Sequence, residues 1–383
     1  MKLILLFFLL ILIGCGSTSN STSKMADGDG STNATPTART PAGISLDGCS
    51  YLDKGDDYTT GNNLTARFVS YFNGAIYAVY GDSSGIIVRK STNGSSWSTV
   101  ESDNGYEILG LKEYNSVLYL ILNQSSTTNV KIRITNGSSW STLSNSDSTI
   151  RPGNADILNG NIYISGDNGS TGHGRIVVSS NNGSSYSLIS SSDFNNLDIY
   201  GLYTFANDIS IIAWNGSNQQ LGLTSNGGSN WDTILNPEAY HIHTTYYNGS
   251  VLYAGGYIST LGSNYPWTLK AYINSTWLIL DQYNPGLDSS SGTMGIFGIS
   301  IKDNTIVTVG TEPGLDRSDF GLVRYYYSGQ WYMVSYQYAA GKRTQFYGIG
   351  YSIDNSILTG YIIGEATDLS NISHALVKVI QCK

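Results

Sequence analysis

The sequence predicts an all-β fold, a seven-bladed β-propeller of four-stranded blades that is closed by an N-terminal strand. A polar two-residue turn followed by alternating apolar residues occurs seven times, at separations of 41 to 55 residues. A second turn, rich in Ser, Asn and Gly and ending in an aromatic residue, occurs in six of these repeats. The last repeat therefore lacks one strand, which the N-terminal segment of the domain can supply.

Residues 1–14 have the pattern of a secretory signal peptide. Lys2 precedes an apolar run at residues 3–13, which is shorter than the roughly 20 residues that a membrane-spanning helix needs. Residues 12–15 resemble the lipobox of bacterial lipoproteins, and this resemblance implies cleavage before Cys15 and diacylation of its thiol, with palmitate as an attached fatty acid. By analogy with bacterial lipoprotein sorting rules, Gly16 favours the outer membrane of the cell envelope.

Residues 15–42 are predicted to be a flexible linker. They are mostly Ser, Thr, Asn, Gly and Ala, so they cannot bury enough apolar surface to offset their conformational entropy. Residues 43–383 form the predicted propeller domain. The net charge is −8 with no basic cluster, which argues against nucleic-acid binding and against electrostatic docking on an anionic bilayer. We expect a monomer that contacts the membrane through its lipid anchor.

Each repeat is predicted to contain four strands, named a to d in chain order. The a–b hairpin forms at an Asn- or Asp-containing pair, because these residues and Gly tolerate the positive φ of a tight turn. The alternating apolar residues after each pair predict strand b. The seven pairs lie at residues 73–74, 115–116, 159–160, 207–208, 248–249, 303–304 and 354–355.

The second turn is the c–d hairpin of each repeat, and residues 92–99 and 135–142 are identical. Residues 179–186 (SSNNGSSY) and 224–231 (TSNGGSNW) resemble the Asp-box, or BNR, repeat of sialidase-like β-propellers, with Asn in place of Asp. The resemblance implies a structural turn on the face away from the binding site. The aromatic residues that end the six turns are Trp97, Trp140, Tyr186, Trp231, Trp277 and Trp331.

The last repeat ends with strand c at residues 374–382, and residues 43–52 are the one unassigned strand-like segment. Pairing these two segments would close the ring. It would also place Cys49 and Cys382 in adjacent strands, where opposite Cβ atoms are about 4.5–5.5 Å apart. Disulfides are the default for cysteines in an exported chain, so we predict a Cys49–Cys382 bond.

No catalytic motif, cofactor site or metal site is predicted. The family resemblance raises a sialidase, which needs three arginines, a Tyr–Glu nucleophile pair and an Asp acid, but the Arg-Ile-Pro stretch before the first box is absent, and the nearest arginine is Arg67. Arginines that recur on strand c indicate a scaffold role, since a catalytic site is made once; they are Arg89, Arg133, Arg175 and Arg324. The spacing of His241 and His243 is compatible with metal, but no third ligand is evident except Glu238.

Long connections in repeats five and six predict a recognition surface for a protein or glycan partner, because aromatic and Arg residues on such loops favour binding. The candidate residues are Tyr240, His241, His243, Tyr265, Trp267, Asp316 and Arg317, with Tyr283 and Asp319 nearby. The favoured function is a non-enzymatic binding scaffold anchored to the membrane as a lipoprotein. The alternatives are a divergent sialidase-like glycoside hydrolase and an envelope-assembly scaffold. A further alternative for the long loops is that they are tolerated insertions with no binding role.

Overall fold

The computed structural model shows seven four-stranded antiparallel blades arranged in a ring, the predicted seven-bladed β-propeller. These strands belong to one compact unit, Pro36–Lys383. The structure describes residues 38–39, 49–59, 64–169, 173–189, 194, 197–205, 207–214, 219–236, 240–258, 266–283, 295–302, 305–313, 319–327, 330–336, 343–354, 357–367 and 372–382.

Two strands precede the first blade: β1 (Ala38–Arg39) and β2 (Cys49–Tyr58). Blade one contains β3 (Thr65–Phe72), β4 (Ala75–Asp82), β5 (Gly85–Ser91) and β6 (Ser98–Asn104). Blade two contains β7 (Tyr106–Tyr114), β8 (Val117–Gln124), β9 (Asn129–Thr135) and β10 (Trp140–Asp147). Blade three contains β11 (Arg151–Leu158), β12 (Asn161–Asp167), β13 (Gly174–Ser179) and β14 (Ser187–Leu188).

Blade four contains β15 (Asp198–Phe205), β16 (Asp208–Trp214), β17 (Gln219–Thr224) and β18 (Asp232–Leu235). Blade five contains β19 (Tyr240–Tyr247), β20 (Leu252–Ile258), β21 (Trp267–Ile273) and β22 (Thr276–Tyr283). Blade six contains β23 (Gly295–Lys302), β24 (Thr305–Pro313), β25 (Asp319–Tyr327) and β26 (Gln330–Tyr336). Blade seven contains β27 (Thr344–Asp354), β28 (Ile357–Thr367), β29 (Ser373–Cys382) and, as its outer strand, β2.

In every blade strand a is innermost and strands b, c and d follow outward, and the a–b and c–d turns lie at one end of the sheet, here called the turn face. The b–c and d–a connections lie at the other end, the loop face. The a–b turns adopt the predicted positive φ, for example at Asn73 (48°), Asn115 (49°) and Asn159 (51°). The described residues include no helix with the length and apolarity needed to cross a membrane.

The N-terminal strand closes the ring as predicted, by pairing antiparallel with the last strand of the chain. The register places Cys49 directly opposite Cys382. The strand extends to Tyr58, beyond the predicted end at residue 52, because its second half packs against blade one. There Asp56 is buried and accepts a hydrogen bond from Tyr80 at 2.6 Å. Residues 43–48 lie outside the described residues.

A short segment of the predicted linker also takes part in a sheet. Ala38 pairs with Tyr336 and Arg39 with Ser335, so β1 forms a fifth strand at the outer edge of blade six. The signal peptide, Cys15 and the rest of the linker lie outside the described residues.

The hydrophobic core is divided among the junctions between neighbouring blades, and the aromatic residues of the c–d turns pack into these junctions. Trp97 packs with Tyr80 of blade one and Val377 of blade seven. Trp140 contacts Tyr77 of the preceding blade edge to face, with ring centroids 6.3 Å apart. Each blade thus buries its face only against a neighbour, which is the energetic reason for a closed ring.

Hydrogen bonds inside the c–d turns explain why their small polar residues recur. In blade one the Ser91 hydroxyl accepts from the backbone N–H of Gly94 at 2.8 Å, and the Asn93 carboxamide oxygen accepts from Ser95 and Ser96. The same side-chain pattern occurs at Ser179 and Asn181 in blade three. Asn therefore performs the acceptor role of an Asx turn. Membership of the Asp-box repeat itself stays a prediction.

Ion pairs join strand c of one blade to strand d of the blade before it. Arg89 of blade one pairs with Asp56 of β2 at 2.9 Å, and Arg133 of blade two pairs with Glu101 of blade one at 2.5 Å. Arg324 of blade six makes a two-pronged contact with Asp281 of blade five, both distances being 2.7 Å. These contacts support the predicted scaffold role of the strand c arginines.

The first testable prediction is the disulfide between Cys49 and Cys382. The opposite positions in the register bring the two backbones together, and in the chain-entropy model such a cross-link stabilises the fold by about 5–6 kcal/mol. Peptide mapping by mass spectrometry without reductant should recover the two cysteine-containing peptides as one linked species, which reductant separates. Free thiols at both positions would contradict this prediction.

The second prediction concerns the ion pair between blades five and six. Asp281→Ala leaves the Arg324 guanidinium, whose side chain is only 10% exposed, without its partner. We expect the free energy of unfolding in urea to fall by about 3–5 kcal/mol. The control is Asp167→Ala, which removes the partner of Arg151, a side chain that is 55% exposed; it should cost less than about 1 kcal/mol. Equal effects of the two substitutions would contradict the structural role of the inter-blade pair.

Candidate functional site

A central cavity of about 350 Å³ runs along the axis of the ring. The inner strands of all seven blades contribute to its wall, which joins apolar side chains to a few charged and polar ones. The polar and aromatic part of this wall includes Arg67, Lys112, Asn154, Asp156, Tyr203, Phe297 and Tyr347. A concave site that combines apolar walls with a few polar groups is the usual form of a ligand site.

Each of the seven inner strands contains a β-bulge at the equivalent place, near its loop-face end. A bulge leaves one residue outside the regular pairing and redirects its side chain. The bulged residues therefore form a ring of seven equivalent positions around the loop-face mouth of the cavity: Arg67, Leu109, Gly153, Tyr200, His243, Phe297 and Tyr347.

Glycines that follow several bulges allow the inner strands to approach each other closely. A Cβ at Gly110 would lie 2.2 Å from the carbonyl oxygen of Ala155 in the next blade, and a Cβ at Gly298 would lie 3.0 Å from the Cα of Gly348. Any side chain at Gly110 would push two blades apart. The bulge and the glycine thus act together to narrow the ring at the mouth.

Aromatic side chains form a continuous row across blades four to seven at this mouth. We define the aromatic row as Tyr200, Tyr257, His243, Phe297 and Tyr347. The His243 ring lies 5.5 Å from Tyr257 and 4.6 Å from Phe297, and Phe297 lies 5.9 Å from Tyr347, centroid to centroid. Tyr200 is joined to the rest of the row through the carbonyl oxygen of Ile242, the residue between His241 and His243, which accepts a hydrogen bond from the Tyr200 hydroxyl at 3.3 Å.

His243 of the row and the neighbouring His241 are held in their neutral form. Burial lowers the pKa of His243 to about 4, with a further contribution from neighbouring His241. Burial also lowers the pKa of His241, whose ring stacks on Tyr257 at 4.7 Å and 15°. The Nε2 atom of His243 is buried and has no hydrogen-bond partner among the described residues. The row is consequently uncharged at neutral pH.

Arg67 provides a positive charge at the blade-one end of the mouth. It lines the cavity and is exposed, and no ion pair joins it to any carboxylate that the structure describes. The neighbouring Tyr347 hydroxyl donates to Oε1 of Gln345 at 2.8 Å and lies within hydrogen-bonding reach of Glu365. Burial is the main cause that raises the pKa of Tyr347, the Glu365 charge raises it further, and the charges of Arg343 and Arg67 oppose this.

The turn-face end of the cavity is polar and internally satisfied. Lys112 of blade two lies 3.2 Å from the Asp156 carboxylate of blade three and 3.2 Å from the Thr204 hydroxyl of blade four. The backbone N–H of Thr204 donates to the same carboxylate at 2.9 Å. This network links three inner strands, so its groups are already paired within the protein.

The structure separates the residues that the sequence grouped as a recognition surface. Tyr240 and Trp267 are buried, at 2% and 0% exposure, and the Tyr240 hydroxyl donates to the carbonyl oxygens of Ala254 and Thr268. A side chain so buried cannot contact a partner, which corrects the hypothesis for these two residues. They are the first residues of β19 and β21. In β19 the buried Tyr240 alternates with the partly exposed His241, whereas the first five residues of β21 are all buried.

The other predicted residues have mixed outcomes. His243 is part of the aromatic row at the mouth and His241 stacks on its Tyr257, which keeps both in the candidate site. Asp319 is buried and pairs with Arg343 at 3.1 Å, and the Tyr283 hydroxyl donates to Glu312 at 3.2 Å. Tyr265, Asp316 and Arg317 lie outside the described residues. Within the described ranges, no group of three or more His, Cys, Asp or Glu residues is arranged to hold a metal ion.

The bulge ring was not predicted, although the sequence contains a signal for it. A large residue, a glycine and a Leu or Ile occur in succession in four inner strands, at residues 109–111, 200–202, 297–299 and 347–349. Glycine interrupts the alternation expected of a strand, and an isolated glycine within a strand pattern indicates a bulge or a close backbone approach. This repeat marks four of the seven bulges.

Comparison with known proteins informs the fold alone. No protein-family profile matches the chain, and no curated protein matches it. Among solved structures it is similar to one described in a study of two prolyl endopeptidases, with a TM-score of 0.51 and 8% sequence identity. The match covers 83% of this chain and 50% of that structure, so this chain spans half the length of the protein it resembles.

Proposed function

We propose that this protein is a lipid-anchored, non-enzymatic binding scaffold of the bacterial cell envelope that holds a protein or glycan partner at the loop-face mouth of its central cavity. The observation that carries this proposal is the ring of bulges. It presents most of the aromatic row at one end of a 350 Å³ cavity, together with Arg67, which pairs with no carboxylate among the described residues. A rigid scaffold that positions a few exposed aromatic and Arg side chains has the composition of a recognition site.

The carboxylates near the cavity favour binding over two-carboxylate glycoside hydrolysis. That reaction needs two carboxyl groups facing each other at about 5–10 Å, one of which is free to donate a proton. In the described wall of the cavity the single carboxylate is Asp156, and it is paired with Lys112 at 3.2 Å. The described wall therefore supplies neither the second carboxylate nor a free acid.

The charged groups around Tyr347 favour the sialidase-like alternative and define how to test it. Tyr347 lies beside Glu365, with Arg67 and Arg343 in its electrostatic field, which parallels the Tyr–Glu pair that the family resemblance implies. The raised pKa of Tyr347 opposes this alternative, since a nucleophilic tyrosine gains from forming its phenolate easily. Binding without turnover remains the better-supported function.

Lipid anchoring rests on the sequence at Cys15, and the third prediction tests it. Cys15→Ala removes the thiol that would be acylated, so the protein should move from the membrane fraction to the soluble fraction on cell fractionation. The control is Ser17→Ala, which keeps the cysteine and should leave the protein in the membrane fraction. Membrane retention of the Cys15→Ala protein would contradict lipid anchoring.

The fourth prediction tests binding at the mouth, using the unlipidated Cys15→Ala protein immobilised for glycan arrays and for capture from envelope extracts. Arg67→Ala should weaken retention of the captured partner at least about tenfold, since a hydrogen bond to a charged group contributes about 1.5–3 kcal/mol. Arg151→Ala is the matched control, because Arg151 is exposed but already paired with Asp167 at 2.7 Å. Equal effects of both substitutions would contradict a site at the mouth.

The same protein separates binding from hydrolysis. We expect no release of the aryl group from a fluorogenic sialoside or from other aryl glycosides, whether or not the protein binds them. Release that Tyr347→Phe abolishes would contradict the non-enzymatic proposal and support the sialidase-like alternative. Tyr347→Phe should instead leave partner capture within a few fold of the parent protein, because the ring itself is retained.

A further inference from the structure

The aromatic row is fixed in place before any ligand arrives. The Tyr200 hydroxyl donates to the carbonyl oxygen of Ile242 at 3.3 Å and accepts from the Gln219 carboxamide. The Gln219 carboxamide oxygen in turn accepts from the backbone N–H of Ile242 at 2.5 Å. A ring held at its hydroxyl by Gln219 of its own blade and by Ile242 of the next blade loses little freedom on binding, which favours affinity.

The row also keeps part of its surface open. Tyr200 is 37% exposed although its hydroxyl is bonded, so the exposed part is mainly the ring. Phe297 and Tyr347, at the other end of the row, line the cavity. The ring surfaces thus extend from the exposed loop face into the cavity as one path over blades four to seven.

Amide groups accompany the rings at the blade-four end of this path, whereas the charged groups, Arg67, Arg343 and Glu365, lie around Tyr347 at its other end. Asn154 lines the cavity and donates from its Nδ2 atom to the backbone oxygen of Tyr200 at 2.8 Å, and Gln219 lies against the same ring. His241 and His243 are neutral there for the reasons given above. Arg67 is the cation nearest to the row in the described wall, and it stands at the blade-one end.

We propose that the aromatic row is a binding platform for a neutral oligosaccharide chain, whose pyranose rings stack on Tyr200 and Phe297. This inference rests on the proposed binding function and names the class of its ligand. The C–H face of a pyranose is apolar and carries slight positive charge, so it complements the negative face of an aromatic ring. The ring hydroxyls of the sugar find partners in side-chain amides of the kind that flank the row.

The distribution of other surface residues favours a glycan over a protein segment. The most exposed aliphatic side chains of the described residues are Leu235, Leu188 and Ile279, at 71%, 59% and 55% exposure. All three lie on outer strands of their blades, at the circumference of the ring and away from the mouth. A stacked nucleic acid is disfavoured by the net charge of −8 and the lack of a basic cluster.

The fifth prediction tests this platform with the unlipidated Cys15→Ala protein. The probes are three neutral hexasaccharides, composed of β-1,4-linked glucose, mannose or N-acetylglucosamine, together with a sialylated oligosaccharide as the anionic comparison. Isothermal titration calorimetry should detect binding of at least one neutral hexasaccharide. Tyr200→Ala and Phe297→Leu should each weaken it at least tenfold, whereas Tyr200→Phe, which keeps the ring, should weaken it less than threefold.

Tyr71→Ala is the matched control, because Tyr71 is also an exposed tyrosine on an inner strand, 43% exposed, but lies at the turn-face end of β3. It should not change the affinity, and the thermal midpoints of all variants should show that they are folded. Binding that survives Tyr200→Ala and Phe297→Leu would overturn the platform. So would binding of the sialylated probe alone, or of none of the probes.

These outcomes are distinguishable from failure of the proposed function. If the protein captures an envelope partner in an Arg67-dependent manner but binds no neutral hexasaccharide, the binding scaffold stands and the glycan inference is wrong. If it captures no partner and binds none of the oligosaccharides, both are wrong. Hexasaccharide binding that depends on Tyr200 supports both.

Discussion

Closure of blade seven by β2 is the constraint on which the rest of the structure depends. Without β2 the seventh blade would end at β29 with an unpaired edge, and blade one would lose the surface against which its outer half packs. The residue that carries this junction is Asp56, which accepts from Tyr80 at 2.6 Å and pairs with Arg89 at 2.9 Å, both in blade one. The first strand of the domain therefore joins the last blade to the first, and the ring is complete only when the whole domain has been synthesised.

The junctions between blades share a geometry but differ in chemistry. Where strand d of the preceding blade has a carboxylate, the cation of strand c forms an ion pair with it, as in the Arg324–Asp281 pair at 2.7 Å. In blade seven, Lys378 instead lies 5.0 Å from the centre of the Tyr336 ring of blade six. A cation–π contact and an ion pair both hold a cation against a neighbouring strand. The repeats could thus diverge in sequence while the spacing between blades was kept.

The sequence predicted the scaffold well because the scaffold depends on local signals that repeat. Asn at positive φ marks the hairpins, period-two alternation marks the strands, and the missing fourth strand of the last repeat required the N-terminal segment. The site was predicted poorly because residues next to long loops were assumed to be exposed. Tyr240 and Trp267 follow long connections, yet each is the first residue of a strand and is buried. In β19 the buried Tyr240 and Ile242 alternate with the partly exposed His241 and His243. Exposure depends on the face of the strand, which register determines and loop length does not.

The bulge ring shows how a symmetric scaffold can carry an asymmetric site. One backbone feature occurs at the same place in all seven inner strands, so the backbone contributes no preference among blades. The differences among blades come from the side chains at the bulged positions. Blades two and three carry Leu109 and Gly153, whereas blades four to seven carry three aromatic rings and a histidine, and blade one carries Arg67. Because the scaffold carboxylates at the junctions are already paired with strand c cations, the mouth can be uncharged along one arc and positive at one point. Divergence at seven equivalent positions is therefore sufficient to set what the mouth can bind, and it requires no change in the fold.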